Sequence, residues 1–138
     1  MVTKLEGGHK LEEIYPGVFR PEMTVVKRIE FDAAHYLPGY KGKCSNMHGH
    51  RWAVELGVKG KVDSETGMVI DFIKLKDFLE TIEDRFDHSL VNDVISNPTA
   101  ENIALYVEKE WERASIGGVK LDFIKVRETG DSYVIYRR

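Results

Sequence analysis

Between Met23 and His35 the apolar residues Val25, Ile29, Phe31 and Ala33 share one parity, broken by Lys27, and His35 ends it. Side chains two apart on a strand share a face, so this stretch predicts a strand with one apolar side. A Pro38-Gly39 turn and a lysine-bearing loop follow, and alternation resumes near His48. His48, His50, Trp52, Val54, Leu56 and Val58 fall on one side of this second strand. Gly49, Arg51, Ala53, Glu55, Gly57 and Lys59 fall on the other. Both histidines therefore belong to the apolar face.

The period then changes. Asp71 is the expected N-cap of a helix whose Leu75, Phe78, Leu79, Ile82 and Phe86 recur at helical spacing. Thr99 caps a second helix to about Ala114, with Ile103, Val107 and Trp111 inward, and Gly117-Gly118 closes the region. Val119 to Thr129 and Ser132 to Tyr136 predict two strands joined at Gly130-Asp131. Their apolar positions are odd up to Phe123 and even from Ile124, which signals a bulge or a strand buried on both faces. The order ββααββ lacks βαβ alternation, so the expected class is α+β with an antiparallel sheet. Residues 1–22 have weak periodicity and two prolines, and read as an arm ahead of one domain, 23–138. His9 in that arm is given no functional weight.

Composition narrows the setting. The 138 residues are 42% hydrophobic and 31% charged, as in a globular domain, with net charge −3. No block of like charge advertises nucleic acid or a membrane surface, while a local basic pocket for a small anion stays compatible. One cysteine builds no disulfide framework, and a free thiol persists best in a reducing compartment. Neither a signal-peptide core nor an 18-residue apolar run is present, so the expected setting is cytoplasmic.

The histidines then acquire a chemical meaning. His48 and His50 point to one side of their strand, and His35 ends the apolar face of the preceding one. Three neutral imidazoles with an open fourth position describe a catalytic zinc site, whereas unpaired imidazoles on apolar faces would be costly. Cys44 stands close by, in "KGKCSNMHGHRW". Proximity suits it as a fourth ligand; Lys41, Lys43 and a metal's charge suit it as a reactive thiolate. The residues alone do not choose between them. Asp87-His88 follows a helix, and adjacent residues form a hydrogen-bonded pair only with help from a turn. Glu128 ends a strand whose parity is otherwise apolar, so it stands at the rim or faces a ligand.

Six pieces in order carry a family likeness: "FDAAH" (31–35), "CSNMHGH" (44–50), "GMVIDF" (67–72), "DH" (87–88), "PTAEN" (98–102) and "ET" (128–129). Together they resemble the 6-pyruvoyltetrahydropterin and 6-carboxytetrahydropterin synthases. The resemblance implies the tunnelling fold, a four-stranded antiparallel sheet with two helices on one face, in trimers that close a barrel and pair into hexamers. It implies zinc on His35, His48 and His50. Cys44 becomes the proton acceptor, with Asp87 and His88 reaching it from a neighbouring subunit. Glu128 becomes the anchor of the pterin ring, with Thr99 and the backbone near Ala100 beside it. Lys41 and Lys43 are candidates for the triphosphate of a 7,8-dihydroneopterin triphosphate substrate. Only three residues separate Cys44 from His48, and this short form resembles the carboxy rather than the pyruvoyl enzymes. The arm is longer than the family pattern, and Ala100 stands where a hydroxyl residue is frequent. A zinc- or pterin-binding module without catalysis would need none of Cys44, Asp87 and His88. A triphosphate hydrolase would need a carboxylate cluster of the magnesium type, and none lies near the histidines in the sequence.

Overall fold

Two long strands, β1 (Glu22–His35) and β2 (His48–Lys61), pair antiparallel from Glu22 opposite Lys61 to His35 opposite His48. The computed structural model describes residues 20–138, so the expected arm, His9 included, falls almost wholly outside the described residues. The predicted parity is the observed one. Ile29, Phe31 and Ala33 of β1 and Trp52, Val54, Leu56 and Val58 of β2 are buried together on one face.

Helix α1 (Phe72–Phe86) begins where Asp71 accepts a hydrogen bond from Ile73 N, a side-chain cap that satisfies an otherwise orphan donor. Its buried residues are the five of the predicted stripe, Leu75, Phe78, Leu79, Ile82 and Phe86. Each large apolar side chain removed from water contributes about 1.5–3 kcal/mol. A short strand, β3, follows directly; it is only Ser89–Leu90 and runs parallel to Ala33–Ala34 of β1. Helix α2 (Ala100–Ala114) starts with Thr99 Oγ1 accepting from Asn102 N and buries Ala100 and Ala104 besides Ile103, Val107 and Trp111. It stops at Ser115, which takes the left-handed conformation (φ 50°) ahead of the Gly117-Gly118 pair.

The two remaining strands, β4 (Lys120–Thr129) and β5 (Ser132–Arg137), continue the sheet beyond β2. The sheet order is therefore β3-β1-β2-β4-β5. This corrects the four-stranded, purely antiparallel expectation in one detail. A two-residue strand has no alternation to read, and its pairing follows from the turn at the end of α1. The α+β class and the placing of both helices on one face stand.

The phase change in β4 is a bulge. Gly57 pairs with Phe123 and Val58 with Leu121, so Asp122 is the extra residue. Thr24 Oγ1 donates to Asp122 Oδ2 at 2.7 Å and occupies its side chain. After the bulge Ile124, Val126 and Glu128 share the helix-covered face with Trp52 and the histidines. The opposite face carries charged side chains, and among the described residues no helix covers it.

Candidate active site

His35 is buried at 1% exposure although it ends a strand, and two contacts explain this. Asn92 clamps the backbone of Tyr36, accepting from its N at 3.0 Å and donating to its O at 2.9 Å. The ring itself packs edge-on against Trp52, with Nδ1 2.8 Å from the carbonyl of Pro98. A carbonyl only accepts, so Nδ1 carries the proton and Nε2 presents a lone pair. His48 repeats the arrangement, with Nδ1 2.7 Å from Asn46 O.

The two Nε2 atoms then face each other at 3.1 Å. Two lone pairs at that distance repel unless a cation or a shared proton lies between them. His50 Nε2 is buried and has no hydrogen-bond partner. One ligand atom from each of His35, His48 and His50 lies within 4.8 Å of the others. Neighbouring ligand atoms around a tetrahedral zinc lie about 3.3 Å apart when the bonds are about 2.0–2.1 Å. The donor set fits a zinc-type ion: imidazole nitrogens, the tautomers of His35 and His48 fixed from outside, and an orphaned buried atom on His50 where a ligand should be.

Electrostatics agree with that reading. Burial holds the His50 imidazole below its ordinary value, with Glu128 opposing and the neighbouring His35 and His48 reinforcing the shift. The ring is thus kept in the neutral form that ligates. Glu128 stands beside the trio, with Oε1 3.6 Å from His50 Nε2 and Oε2 3.9 Å from His35 Nε2. Alternation alone puts Glu128 on this face; its nearness to the histidines depends on the β2–β4 register, which alternation does not reveal.

Cys44 sits half-buried in a single 3-10 turn, Lys43–Ser45. It belongs to neither cluster of metal-type side chains among the described residues. Lys41 and Lys43 are exposed on the same loop. Asp87 and His88 lie at the β3 edge of the sheet and do form a pair, His88 Nδ1 to Asp87 Oδ2 at 2.9 Å. The help required of the turn is visible: His88 adopts φ 57°, and its N donates to Asp32 O. Asp32 N donates to Asp87 Oδ1 at 2.9 Å. That hydrogen bond first, and the one from His88 second, keep the Asp87 carboxyl below the usual range. Two open cavities of about 620 and 540 Å³ are lined by helix and strand-end residues and contain no histidine.

A family model described as 6-pyruvoyl tetrahydropterin synthase matches residues 24–138. The chain belongs to that family. Among the pterin synthases, the Synechocystis 6-carboxy-5,6,7,8-tetrahydropterin synthase is 36% identical over 81% of this chain and 91% of its own length. A Pyrococcus furiosus relative named dihydroneopterin monophosphate aldolase is 34% identical over 75% of this chain and 88% of its own. The solved Caenorhabditis elegans 6-pyruvoyl tetrahydropterin synthase superposes with a TM-score of 0.78 at 28% identity, covering 88% of this chain and 99% of that one. These relatives support a lyase of pterin biosynthesis, and the tunnelling fold is shared. Within the pterin synthase family the three names differ in product, so the names alone leave the reaction to be argued from the site.

Proposed function

We propose that the chain is a zinc-dependent lyase converting 7,8-dihydroneopterin triphosphate and water to 6-carboxy-5,6,7,8-tetrahydropterin, acetaldehyde and triphosphate. The product would supply a 7-deazaguanine precursor of queuosine or archaeosine. The observation that carries the reading is the set of converging imidazoles beside Glu128, with a thiol on the loop just ahead of them.

His35, His48 and His50 would hold the zinc, which when bound acidifies the hydroxyls of the substrate side chain. Cys44 would accept the proton that leaves a side-chain carbon or oxygen. Asp87 and His88 would reach Cys44 from a neighbouring copy. Within one His88 ring, Nδ1–H to Asp87 leaves Nε2 as the free acceptor, the arrangement that lets an imidazole relay a proton. Glu128 would accept hydrogen bonds from the amino and ring N–H groups of the pterin. The Thr99 hydroxyl caps α2 as an acceptor and keeps its O–H to donate, so Thr99 and the backbone near Ala100 would meet the ring. Lys41 and Lys43 would hold the triphosphate.

Trimers closing the sheet into a barrel, paired into a homohexamer, would cover the sheet edges and turn the charged face inward. We place the domain at 23–138 with 1–22 as an arm, in the cytoplasm, with no nucleic-acid or membrane partner. Among the described residues no helix is long and apolar enough to cross a membrane.

The three-residue spacing between Cys44 and His48 favours the carboxy product over the pyruvoyl one. Incubation with 7,8-dihydroneopterin triphosphate and identification of products by mass tests the choice. Acetaldehyde with the carboxypterin is expected. A pyruvoyl product would move the chain to the other branch, and no reaction would sink the lyase reading.

A further inference from the structure

The sheet face opposite the two described helices carries a ladder of cross-strand charges with no part in the chemistry above. Arg51 donates from Nη1 to Asp32 Oδ2 at 2.8 Å and from Nε to Glu30 Oε1 at 3.0 Å. Arg28 joins Glu30 at 2.9 Å to Glu55 at 3.4 Å, and Lys125 meets Glu55 at 3.8 Å. At its Asp32 end the ladder reaches the Asp87-His88 pair twice through the main chain. Asp32 N donates to Asp87 Oδ1, and Asp32 O accepts from His88 N at 2.6 Å. A carboxylate oxygen of Asp32, one of Asp87 and a ring nitrogen of His88 all lie within 4.8 Å of one another.

Two carboxylates that close repel each other, and a freed Asp32 carboxylate would offer the His88 ring a second acceptor and so a second way to place its proton. Arg51 removes the competition by occupying Asp32 and offsetting its charge. The side chains of Arg51 and Asp32 are 64% and 51% exposed, and ion pairs of that kind contribute little to stability. The consequence of this pair therefore lies in the geometry of its neighbours.

We propose that Asp32 and Arg51 are positioning residues for the Asp87-His88 pair. Asp32 grips both members through its backbone, and Arg51 holds the Asp32 carboxylate away from His88. The imidazole then stays bound through Nδ1–H to Asp87, with Nε2 free as a proton acceptor. The inference rests on the pair acting in catalysis as proposed above.

The zinc-loaded full chain is assayed on 7,8-dihydroneopterin triphosphate beside Arg51→Met, Arg51→Gln, Arg51→Lys, Asp32→Asn combined with Arg51→Met, and His88→Ala. Zinc content and Tm are measured in parallel, and the His88 ring is read by 15N NMR. Arg51→Met is expected to lower kcat about ten-fold with KM, zinc and Tm close to the parent. Arg51→Lys, which keeps the charge, recovers most of the loss. The 15N pattern of His88 moves away from the Nδ1–H tautomer in Arg51→Met alone of the two. Asp32→Asn keeps the backbone grip and removes the rival charge, so combined with Arg51→Met it is expected to return most of the lost kcat; Arg51→Gln carries the test if Arg51→Met does not fold. Unchanged kcat in the folded Arg51→Met or Arg51→Gln variant, no recovery in the double variant, or a loss that tracks zinc or Tm, overturns the inference. Full turnover in His88→Ala overturns instead the reading of the pair itself, whereas an inactive His88→Ala beside a fully active Arg51→Met overturns only the positioning role.

Discussion

His35 and His48 oppose their Nε2 atoms at 3.1 Å while each ring gives its Nδ1–H to a backbone carbonyl. In the absence of a cation this contact is unfavourable, so a metal bound there would be coupled to the fold. Binding that favours the native state at a thousand-fold excess over Kd stabilises by about 4 kcal/mol. Chelation should therefore lower Tm by several degrees, and zinc should restore it. The parent is expected to hold one zinc per chain in metal analysis, and His35→Ala and His48→Ala to fall well below it. Retention of stoichiometric zinc by both would contradict the three-histidine site.

The His50 ring sets a pH dependence in the metal-free protein. Burial lowers its folded-state pKa beneath the ordinary 6.5. Between that lowered value and 6.5 the unfolded chain binds the extra proton and the native state does not, so stability rises with pH there. The contribution is whole above 6.5 and is lost as pH falls toward the folded value. Urea midpoints of chelated protein should drop between pH of about 7.5 and about 5.5. His50→Gln, which cannot titrate, should show a shallower drop. An equal slope in both proteins would assign the effect elsewhere.

Strand parity makes much of this site legible in the amino-acid sequence. It places His48 and His50 on the buried face, and it gives Glu128 the same face as Val126. The helix stripes are legible too, since five residues at helical spacing leave one packing solution. Contacts that depend on register or on a single backbone angle are not. Glu128 lies near His50 because Ala53 pairs with Arg127. Asp87 reaches His88 because of φ 57° at a non-glycine residue, which no pattern of residue types announces. Asp32 and Arg51 escape a reading of residue types for a related reason. Charges on a strand's polar parity look like solvated residues until β1 and β2 are placed side by side.

Gly57 offers a test of the bulge. A Cβ at this position would overlap the ring of Phe123 at Cδ1 and Cε1, within the pair that precedes the register shift. The ring clears a Cβ there only by leaving its rotamer or shifting the strand, and overpacking of this kind costs about 1–3 kcal/mol. Gly57→Ala should lower the urea midpoint accordingly without a change in slope. Phe123→Leu in the same chain should return part of the loss, because a smaller side chain vacates the space. If the two substitutions are simply additive, the ring is not what requires glycine.

Cys44 separates ligand from base. It lies outside the compact group formed by His35, His48 and His50, so its replacement should leave the metal in place. Cys44→Ala is expected to keep stoichiometric zinc and the parent's Tm while turnover falls by about 10²–10⁴, the range that positioned acid–base groups supply. Cys44→Ser, with a far less acidic group at the same position, should recover little of it. The decisive comparison is zinc content against kcat in one preparation. Loss of both together would make the thiol a ligand and leave proton transfer to another residue, with His88 the first to test because its Nε2 is free.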